Sequence, residues 1–575
     1  MSNSMASDGY ILGLSALAHD PAAALLDPRG EIIAIEESKM ARSREAAGIP
    51  REAIRYCFDR AGIDWSDVSS IAVASEPRKS WRRSTGLRLR QAARAPVASG
   101  YYLSKSVGEL GRELNNFRIL DSLAGEPLGR VIASGHHMCH AASAFFASPF
   151  DRALVLVMDE QGDGRSGLAA IGEGTKLHII DEVSFPHSLA WIYSQATELV
   201  GFAPHKDEQK LQWLSLFGAP EFESLFLEMM RRDSSPWPHL NRRFFTRGFT
   251  GRLAFSDLFY QRIGVPEPGA MIASEALRAN LAASVQAACA TVVNGLLESL
   301  RKEHEIENLC LAGGLFLNPL LVSAIERGTG FKDVFVQPAA GNEGTAPGAA
   351  WNEWHAHREQ KRIAPITHLY WGPSYSNDEI KQVLDNCKAT YHWTNSDAEK
   401  IQDTLRLLRA GKIVAWCQGA AEFGPRALGN RSLLASPWAP FVRENLNDFV
   451  KHRESFRPFA LAVPDEDADR FFETTRATRF MASMGVVKPE ARTLLKDFIL
   501  PGNLVRLHVV ERAANPLFWQ LLKQAGENAP APILVNTSFN LFGEPLVITP
   551  RDAVRSYFCS GTDALVIGNF ILTKS

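Results

Sequence analysis

Two histidines stand four residues apart, His136 and His140, at the head of an alanine-rich run, Ala141-Ala142-Ser143-Ala144. On a helix, residues four apart share a face, so both imidazoles can address one object. The apolar stretch Ala153 to Met158 reads as a buried strand that delivers Asp159 at its end. Two imidazoles and one carboxylate are a common ligand set for Zn or Fe(II), with coordination positions left for substrate. The competing reading is structural: histidines that cap or line a helix start.

A second group of chemistry-bearing residues lies near the C-terminus. Arg426, Arg431, Lys451, Arg453 and Arg457 place five cations within 32 residues, interleaved with Gly, Pro and Phe. A solvated helix would carry acidic partners instead, and Phe423, Leu428, Phe456 and Phe459 favour an inward loop. Arginine's planar fork matches phosphate and carboxylate oxygens, and lysine supplies a point charge, so the run reads as a pocket for a small polyanion. Further on, Ile533-Leu534-Val535 reads as a strand delivering Asn536, Thr537 and Ser538, whose amide and hydroxyls can bind a phosphate- or carbamate-sized group.

The elements that must position these groups follow from the pattern. The N-terminus alternates apolar runs and turns: Tyr10 to Leu17, the turn Ala18-His19-Asp20-Pro21, Ala22 to Leu26, the turn Asp27 to Gly30, then Glu31 to Glu36. Such a meander opens the actin-like ATPase fold. A helix is expected near 50–60, another over 274–300, and strands at 71–75, 309–312 and 333–336. Two of these strands run into Gly-rich turns, Gly313-Gly314 before Asn318 and Gly341 before Asn342. Backbone N–H groups at such helix starts suit phosphate, which makes Gly313, Gly314, Asn318 and Gly341 candidate nucleotide contacts. No internal repeat is visible, and the charged, Pro-containing segment 354–365 reads as a boundary between domains 1–365 and 366–575.

Composition narrows the class. A chain of 575 residues needs more than one core. Hydrophobic content of 46%, charged content of 22% and a net charge of -2 describe a globular protein and argue against a general nucleic-acid binder. The local basic run from Arg78 to Arg94 reads as a solvated face. The seven cysteines are scattered with no CxxC pair, which fits a reducing compartment. With no apolar stretch read as long enough to span a bilayer and no signal-peptide pattern, the expectation is a cytoplasmic protein with no membrane or nucleic-acid partner.

These residues lie within longer motifs. The opening HDPAAALL (19–26), HHMCHAASAFFASPF (136–150), PHSLAWIYS (186–194), EFGPRALGNRS, VKHRESFRPFA and LVNTSFNLFGEPLVITPRDA (534–553) occur in order along nearly the whole chain. In these the chain resembles the NodU/CmcH-type carbamoyltransferases of antibiotic and nodulation-factor biosynthesis. The resemblance implies an α/β protein with an N-terminal actin-like domain (ASKHA class, threonylcarbamoyl-transfer-like) and a C-terminal YrdC-like α/β domain. It implies that carbamoyl phosphate and ATP, with Mg, yield a carbamoyl adenylate in the C-terminal domain. The carbamoyl group then passes to a hydroxyl of a small secondary metabolite in a metal-assisted step. Fe(II) is the metal this implies, with Zn or Mn as alternatives; the oligomeric state stays open.

Residue by residue, the resemblance assigns His136, His140 and Asp159 to the metal. It assigns Arg426, Lys451, Arg457, Arg506 and Ser538, with Asn536 and Thr537 beside them, to carbamoyl phosphate and the adenylate. His19 matches a histidine facing the transfer site, where it could serve as general base. The departures are specific. Asn342 fills the turn where the family has an aspartate that is the fourth metal ligand. Arg44 replaces a lysine of the catalytic set, Trp213 a glycine, and Val322 an asparagine. The segment Pro501 to Arg506 keeps only its arginine. Two further readings follow: a relative that carbamoylates nitrogen or another acceptor, and a metal-poor nucleotide-binding paralogue that serves a partner enzyme.

Overall fold

The computed structural model describes residues 9–15, 19–77, 79, 81, 111, 114–120, 131–230, 235–247, 253–265, 272–357 and 362–574. The basic run 78–94 lies almost wholly outside them, as do parts of the segment 231–268. The chain divides into two compact units, one of residues 1–32, 47–50 and 61–365, the other of 33–46, 51–60 and 366–575. Both are α/β with mixed sheets.

The same strand order occurs twice along residues 10–336. One sheet comprises β1 (Tyr10–Leu14), β2 (Ala22–Leu26), β3 (Ile32–Glu36), β4 (Val68–Val73) and β5 (Val131–Ala133), ordered β3-β2-β1-β4-β5. β1 pairs antiparallel with β2 and parallel with β4, and β4 pairs parallel with β5. After the helix α1 (His136–Phe145) the pattern restarts with β6 (Arg152–Gly162), β7 (Arg165–Glu173) and β8 (Lys176–Ser184). A small hairpin, β9 (Phe245–Arg247) and β10 (Leu253–Phe255), intervenes before β11 (Asn308–Ala312) and β12 (Asp333–Val336). The second sheet is ordered β12-β11-β6-β7-β8, with β6–β7 antiparallel and both β6–β11 and β11–β12 parallel.

This duplication corrects the sequence reading of no internal repeat. It is carried by strand order and direction, which leave no matching run of residue types. The helix after the fifth strand is α1 in the first copy and, in the second, α2 (Thr345–His357). The two pack at backbone distance: a Cβ on Gly348 would lie 1.9 Å from the carbonyl oxygen of Cys139, and one on Gly13 2.1 Å from that of Ala346. Small residues are therefore required where the two copies meet.

The 30-residue helix Glu275–His304 carries an 18-residue window of mean hydropathy 1.3. By length and composition it could cross a membrane, contrary to the expectation from sequence, yet 61% of that window is buried inside the fold, as in a core helix.

The second unit is built on a ten-stranded sheet. Its strands are β13 (His392–Trp393), β14 (Val414–Cys417), β15 (Arg431–Ala435), β16 (Ala460–Pro464), β17 (Phe472–Glu473), β18 (Met484–Val487), β19 (Leu504–Val510), β20 (Leu534–Ser538), β21 (Ala564–Ile567) and β22 (Phe570–Thr573). They are ordered β13-β22-β21-β14-β15-β20-β16-β19-β18-β17. Leu433, Leu461, Leu507 and Val535 point to one core. The opposite face carries Leu434, Ala462, Val510 and Leu534, packed with Phe518 in a second core. Because side chains alternate along a strand, Arg506, Asn536 and Ser538 belong to that second face, toward its open end.

Candidate functional site

Each copy of the strand order contributes to one constellation in the first unit. The β1–β2 turn carries His19, and the first two turns of α1 carry His136 and His140. The end of β6 carries Asp159, and the 3-10 turn that leads into α2 carries Asn342. His136 Nε2 lies 3.0 Å and His140 Nε2 3.6 Å from Asp159 Oδ2, and the three groups bring ligand atoms within 4.8 Å of one another. With metal–ligand bonds of about 2.1 Å, ligand atoms around one ion stand roughly 3–3.5 Å apart. The three residues fit such an ion. Both ring nitrogens of His140 are buried without a hydrogen-bond partner, the condition of a ligand awaiting an acceptor of its lone pair. Neighbouring His137 is also buried with both nitrogens unpartnered, but among the described residues it does not join the group that Asp159 forms with the other two. Cys139 packs instead among Ala72, Ala74 and Ala349.

The electrostatics follow from burial against pairing. Burial alone would raise the Asp159 carboxyl, yet its hydrogen bond with His136 and the close approach and charge of both rings hold it well below the usual carboxylate range. Burial pulls His136 down, and Asp159 overrides this so that its imidazole titrates above the ordinary value. For His140 burial prevails and the shift is downward. His19, whose side chain is 72% exposed, is raised by its hydrogen bond to Asp20, against burial, and by the charges of Asp20, Asp159 and Glu160.

The hairpin after Asp159 fixes this geometry, and its signal was overlooked in the sequence. β6 runs past Met158 to Gly162 with a register irregularity before the turn. Asp163, in the left-handed region, accepts from the backbone N–H of His136 at 2.8 Å and of Glu76 at 3.0 Å, capping α1 from outside its own segment. Gly162 leaves room for the His136 ring: a Cβ there would stand 2.0 Å from its Cδ2. The Gly-Asp-Gly turn was the available clue. Ser188, within the 186–194 motif, donates to the Asp159 carbonyl at 3.0 Å while capping its own helix.

Asn342 lies with its amide nitrogen 2.9 and 3.1 Å from the two ring nitrogens of His19. Gly313, at φ +99°, has its Cα within a Cβ's length of clashing with the Met158 carbonyl at 2.2 Å, and a Cβ on Gly314 would meet Asp159 Oδ1 at 3.1 Å. Both glycines thus let the β11 loop approach the end of β6, and Gly341 precedes Asn342 on the same approach. Asn318 is occupied otherwise: its oxygen caps the helix Pro319–Gly328 through Leu320 and Leu321, and its amide meets Gln286 and Tyr193.

The second unit gathers the C-terminal cations. Lys451, at the end of a π-helical turn, is buried and donates to the Ser538 carbonyl and hydroxyl and to Asn540 Oδ1. Burial and the charges of Arg453, Arg457 and Arg44 push its ammonium well below its ordinary value. Arg506 is pushed down by burial and by Arg426, Arg453 and Arg457; Arg453, at about 9, by burial and Arg457. The neighbouring guanidiniums thus lower the proton affinity of Lys451, Arg453 and Arg506, a concentration of positive charge that an anion relieves. Glu454 stands 3.8 Å from Arg457.

Arg44, grouped with His19 in the sequence, belongs to this unit, where it donates to the Glu544 carbonyl. Arg431 is not part of the cluster: it is 1% exposed and its guanidinium binds the carbonyls of Gln418, Gly419, Asn430 and Pro373. Buried Glu422 takes the N–H groups of Leu428, Asn430 and Arg431 on one oxygen, which shapes the loop presenting Arg426. Asn536 donates to Ala427 and to His508 Nδ1, and Thr537 pairs with Leu433 across the sheet.

Against known proteins, residues 10–351 match the family model described as carbamoyltransferase N-terminus, and residues 405–574 the one described as carbamoyltransferase C-terminus. An uncharacterized Synechocystis protein, sll1178, is 33% identical, covering 98% of this chain and 97% of its own. The nodulation protein NolNO of Sinorhizobium fredii is 31% identical over 97% of this chain and 79% of its own. A 3'-hydroxymethylcephem-O-carbamoyltransferase of Amycolatopsis lactamdurans is 31% identical over 45% of this chain and 48% of its own. Among solved structures, the Acidaminococcus fermentans (R)-2-hydroxyglutaryl-CoA dehydratase component A aligns with 61% of this chain and 100% of its own at 14% identity and TM-score 0.33.

Proposed function

Because the chain belongs to the carbamoyltransferase family, we propose that it is an ATP- and carbamoyl-phosphate-dependent O-carbamoyltransferase acting on a small secondary metabolite. The observation that carries this reading is the cation cluster around Lys451, where like charges are held in low dielectric beside hydroxyl and amide groups. Arg426, Arg457 and Arg506 bind the phosphate oxygens, with Arg44 adding charge. Lys451, positioned by Ser538 and Asn540, faces the carbamoyl end. Water first cleaves carbamoyl phosphate there, so that inorganic phosphate leaves and carbamate remains; a carbamate oxygen then attacks the α-phosphorus of ATP, and pyrophosphate leaves with the bonding pair.

The second half-reaction belongs to the first unit, which we read as actin-like from its duplicated strand order. His136, His140 and Asp159 would hold a divalent metal, Fe(II) or a similar ion, which as a Lewis acid polarises a carbonyl or phosphoryl oxygen. Asn342, a neutral donor, adds less to such a site than an aspartate would. The loops of Gly313, Gly314 and Gly341 bring backbone N–H groups to the same place for a nucleotide phosphate. His19 takes the proton from the acceptor hydroxyl, with Asp20 stabilising the imidazolium that results. The acceptor oxygen forms a bond to the carbamoyl carbon, and AMP departs with the other bonding pair.

The direct test is pyrophosphate release from ATP by the purified chain, with and without carbamoyl phosphate. Release that does not depend on carbamoyl phosphate, or no release, refutes the reading. Mass spectrometry of products with hydroxyl- and amine-bearing acceptors then separates O- from N-transfer.

A further inference from the structure

Residues 33–46 belong to the second unit and bring two buried charges to it. Glu36 ends β3, and Lys39 sits three residues on, in the helical turn Glu37–Met40. The Lys39 ammonium lies 2.8 Å from Glu36 Oε1 and donates to the carbonyls of Glu422 at 2.7 Å and Gly424 at 2.8 Å. The same Glu36 oxygen accepts the N–H of Gly424 at 2.6 Å.

These bonds occupy the pair fully. An ammonium has three donors and all three are taken, so Lys39 has none left for a bound anion. Gly424 in turn has its N–H on Glu36 and its carbonyl on Lys39, and its φ of +93° is in the region that favours glycine. Only Pro425, whose ring fixes its own φ, stands between this anchored glycine and Arg426. On the far side the Ala427 carbonyl accepts from Asn536, and Glu422 takes the N–H groups of Leu428, Asn430 and Arg431. The backbone is thus fixed on both sides of Arg426. Stability alone is a poor reason for the arrangement, because desolvation of two buried charges offsets much of their attraction and apolar replacements are often as stable. Apolar side chains, however, cannot hold both polar groups of one glycine.

We propose that Glu36 and Lys39 are positioning residues of the anion pocket, acting through the backbone of Gly424 to present the Arg426 guanidinium to a bound phosphate. The assignment rests on the reading of the cation cluster as a phosphate site and names what holds one of its arms.

The test is isothermal titration of the full chain with inorganic phosphate, for wild type, Glu36→Ala, Glu36→Gln and the double variant Glu36→Gln/Lys39→Met. Position and charge predict opposite signs. Removal of a carboxylate beside the Arg426 loop would tighten phosphate binding through charge alone. Positioning predicts that Glu36→Ala weakens it by about ten-fold or more, the loss of one arginine–phosphate contact. Glu36→Gln keeps an acceptor for the Gly424 N–H and should recover most of that loss. The double variant leaves the net charge unchanged and no buried ion without its partner, so it carries the test if Glu36→Ala fails to fold. It should also weaken binding by about ten-fold or more, because the Glu422 and Gly424 carbonyls lose their donor. Tighter or unchanged binding in folded Glu36→Ala overturns the proposal, as does Glu36→Gln binding no better than Glu36→Ala. Unchanged binding in the double variant, or a wild type that binds no phosphate, overturns it too. A pair that served stability alone would lower the urea midpoint and leave phosphate affinity as in wild type. Carbamoyl-phosphate-dependent pyrophosphate release in the same samples separates the two ideas. Release by wild type, with phosphate affinity unchanged in the variants, sinks the positioning role alone. Weakened phosphate binding in the variants without release by wild type sustains that role and refutes the transferase reading.

Discussion

Gly162→Ala is the sharpest probe of the histidine–carboxylate centre, because its effect is steric and its size can be worked from the structure. A Cβ at this position would lie 2.0 Å from His136 Cδ2, 2.5 Å from Cγ and 2.9 Å from Nε2, where ordinary contact begins near 3.4 Å. The ring must therefore retreat by about 1.4 Å, or the hairpin must open by as much. Gly162 is not among the glycines at positive φ, so alanine meets no backbone penalty and the whole effect falls on the ring. His136 Nε2 now lies 3.0 Å from Asp159; a retreat of that size breaks the bond and pulls one imidazole out of a three-residue ligand set.

The expected result is a loss of about 10–100-fold in affinity for a divalent probe, by analogy with the effect of misplacing a ligand's support. The overpacking should cost about 1–3 kcal/mol of stability. Co(II) titration followed by visible absorption reads the first, and urea unfolding the second. Gly295→Ala is the control: it lies in the helix Glu275–His304 with nothing within 4 Å of its would-be Cβ. It should be neutral or gain up to about 1 kcal/mol. A folded Gly162→Ala protein that binds Co(II) with wild-type affinity and spectrum would refute the placement of His136 in the centre.

Four further outcomes are expected. Asn342→Asp should tighten Co(II) binding, since it replaces a neutral amide with a carboxylate, and unchanged affinity would show that this turn does not reach the ion. Lys451→Met should abolish carbamoyl-phosphate-dependent pyrophosphate release while leaving the fold intact by circular dichroism; turnover within two-fold of wild type would contradict its role. Glu422→Ala strands three buried N–H groups and should cost about 3 kcal/mol or more in urea unfolding, with Glu422→Gln recovering much of it because one acceptor oxygen remains. His508 titrates near 3 when folded and at its ordinary value of 6.5 when unfolded, so the unfolded chain binds the proton first as pH falls. Its contribution is complete above about pH 6.5 and is lost toward pH 3, at up to about 1.4 kcal/mol per pH unit. Comparison of urea stability at pH 7 and pH 5 for wild type and His508→Gln should show a steeper loss in wild type, since other buried histidines such as His187 and His355 keep their share in both.

The sequence by itself determined the local elements and the chemical types. The spacing of His136 and His140 and the apolar run before Asp159 specify a helix face and a strand end. Their helix begins at His136, and the strand at 333–336 falls where its pattern places it, because helical and strand periodicities are properties of short segments. The ordered motifs likewise identified the family, since several long runs of residue types in sequence are themselves a record of relationship.

Only tertiary structure decided what depends on residues distant in the chain. The duplicated strand order is invisible in residue types, because two sheets with one topology need share only hydrophobic alternation. That Asp163 caps α1, that Gly162 makes room for His136 and that Arg431 is a scaffold while neighbouring Arg426 joins the cation cluster depend on which backbone lies across from each side chain. The tautomer of buried His508 was hidden for the same reason. A histidine's tautomer is set by its through-space partner, and Asn536, 28 residues from His508, became that partner only when β19, β16 and β20 aligned in one sheet.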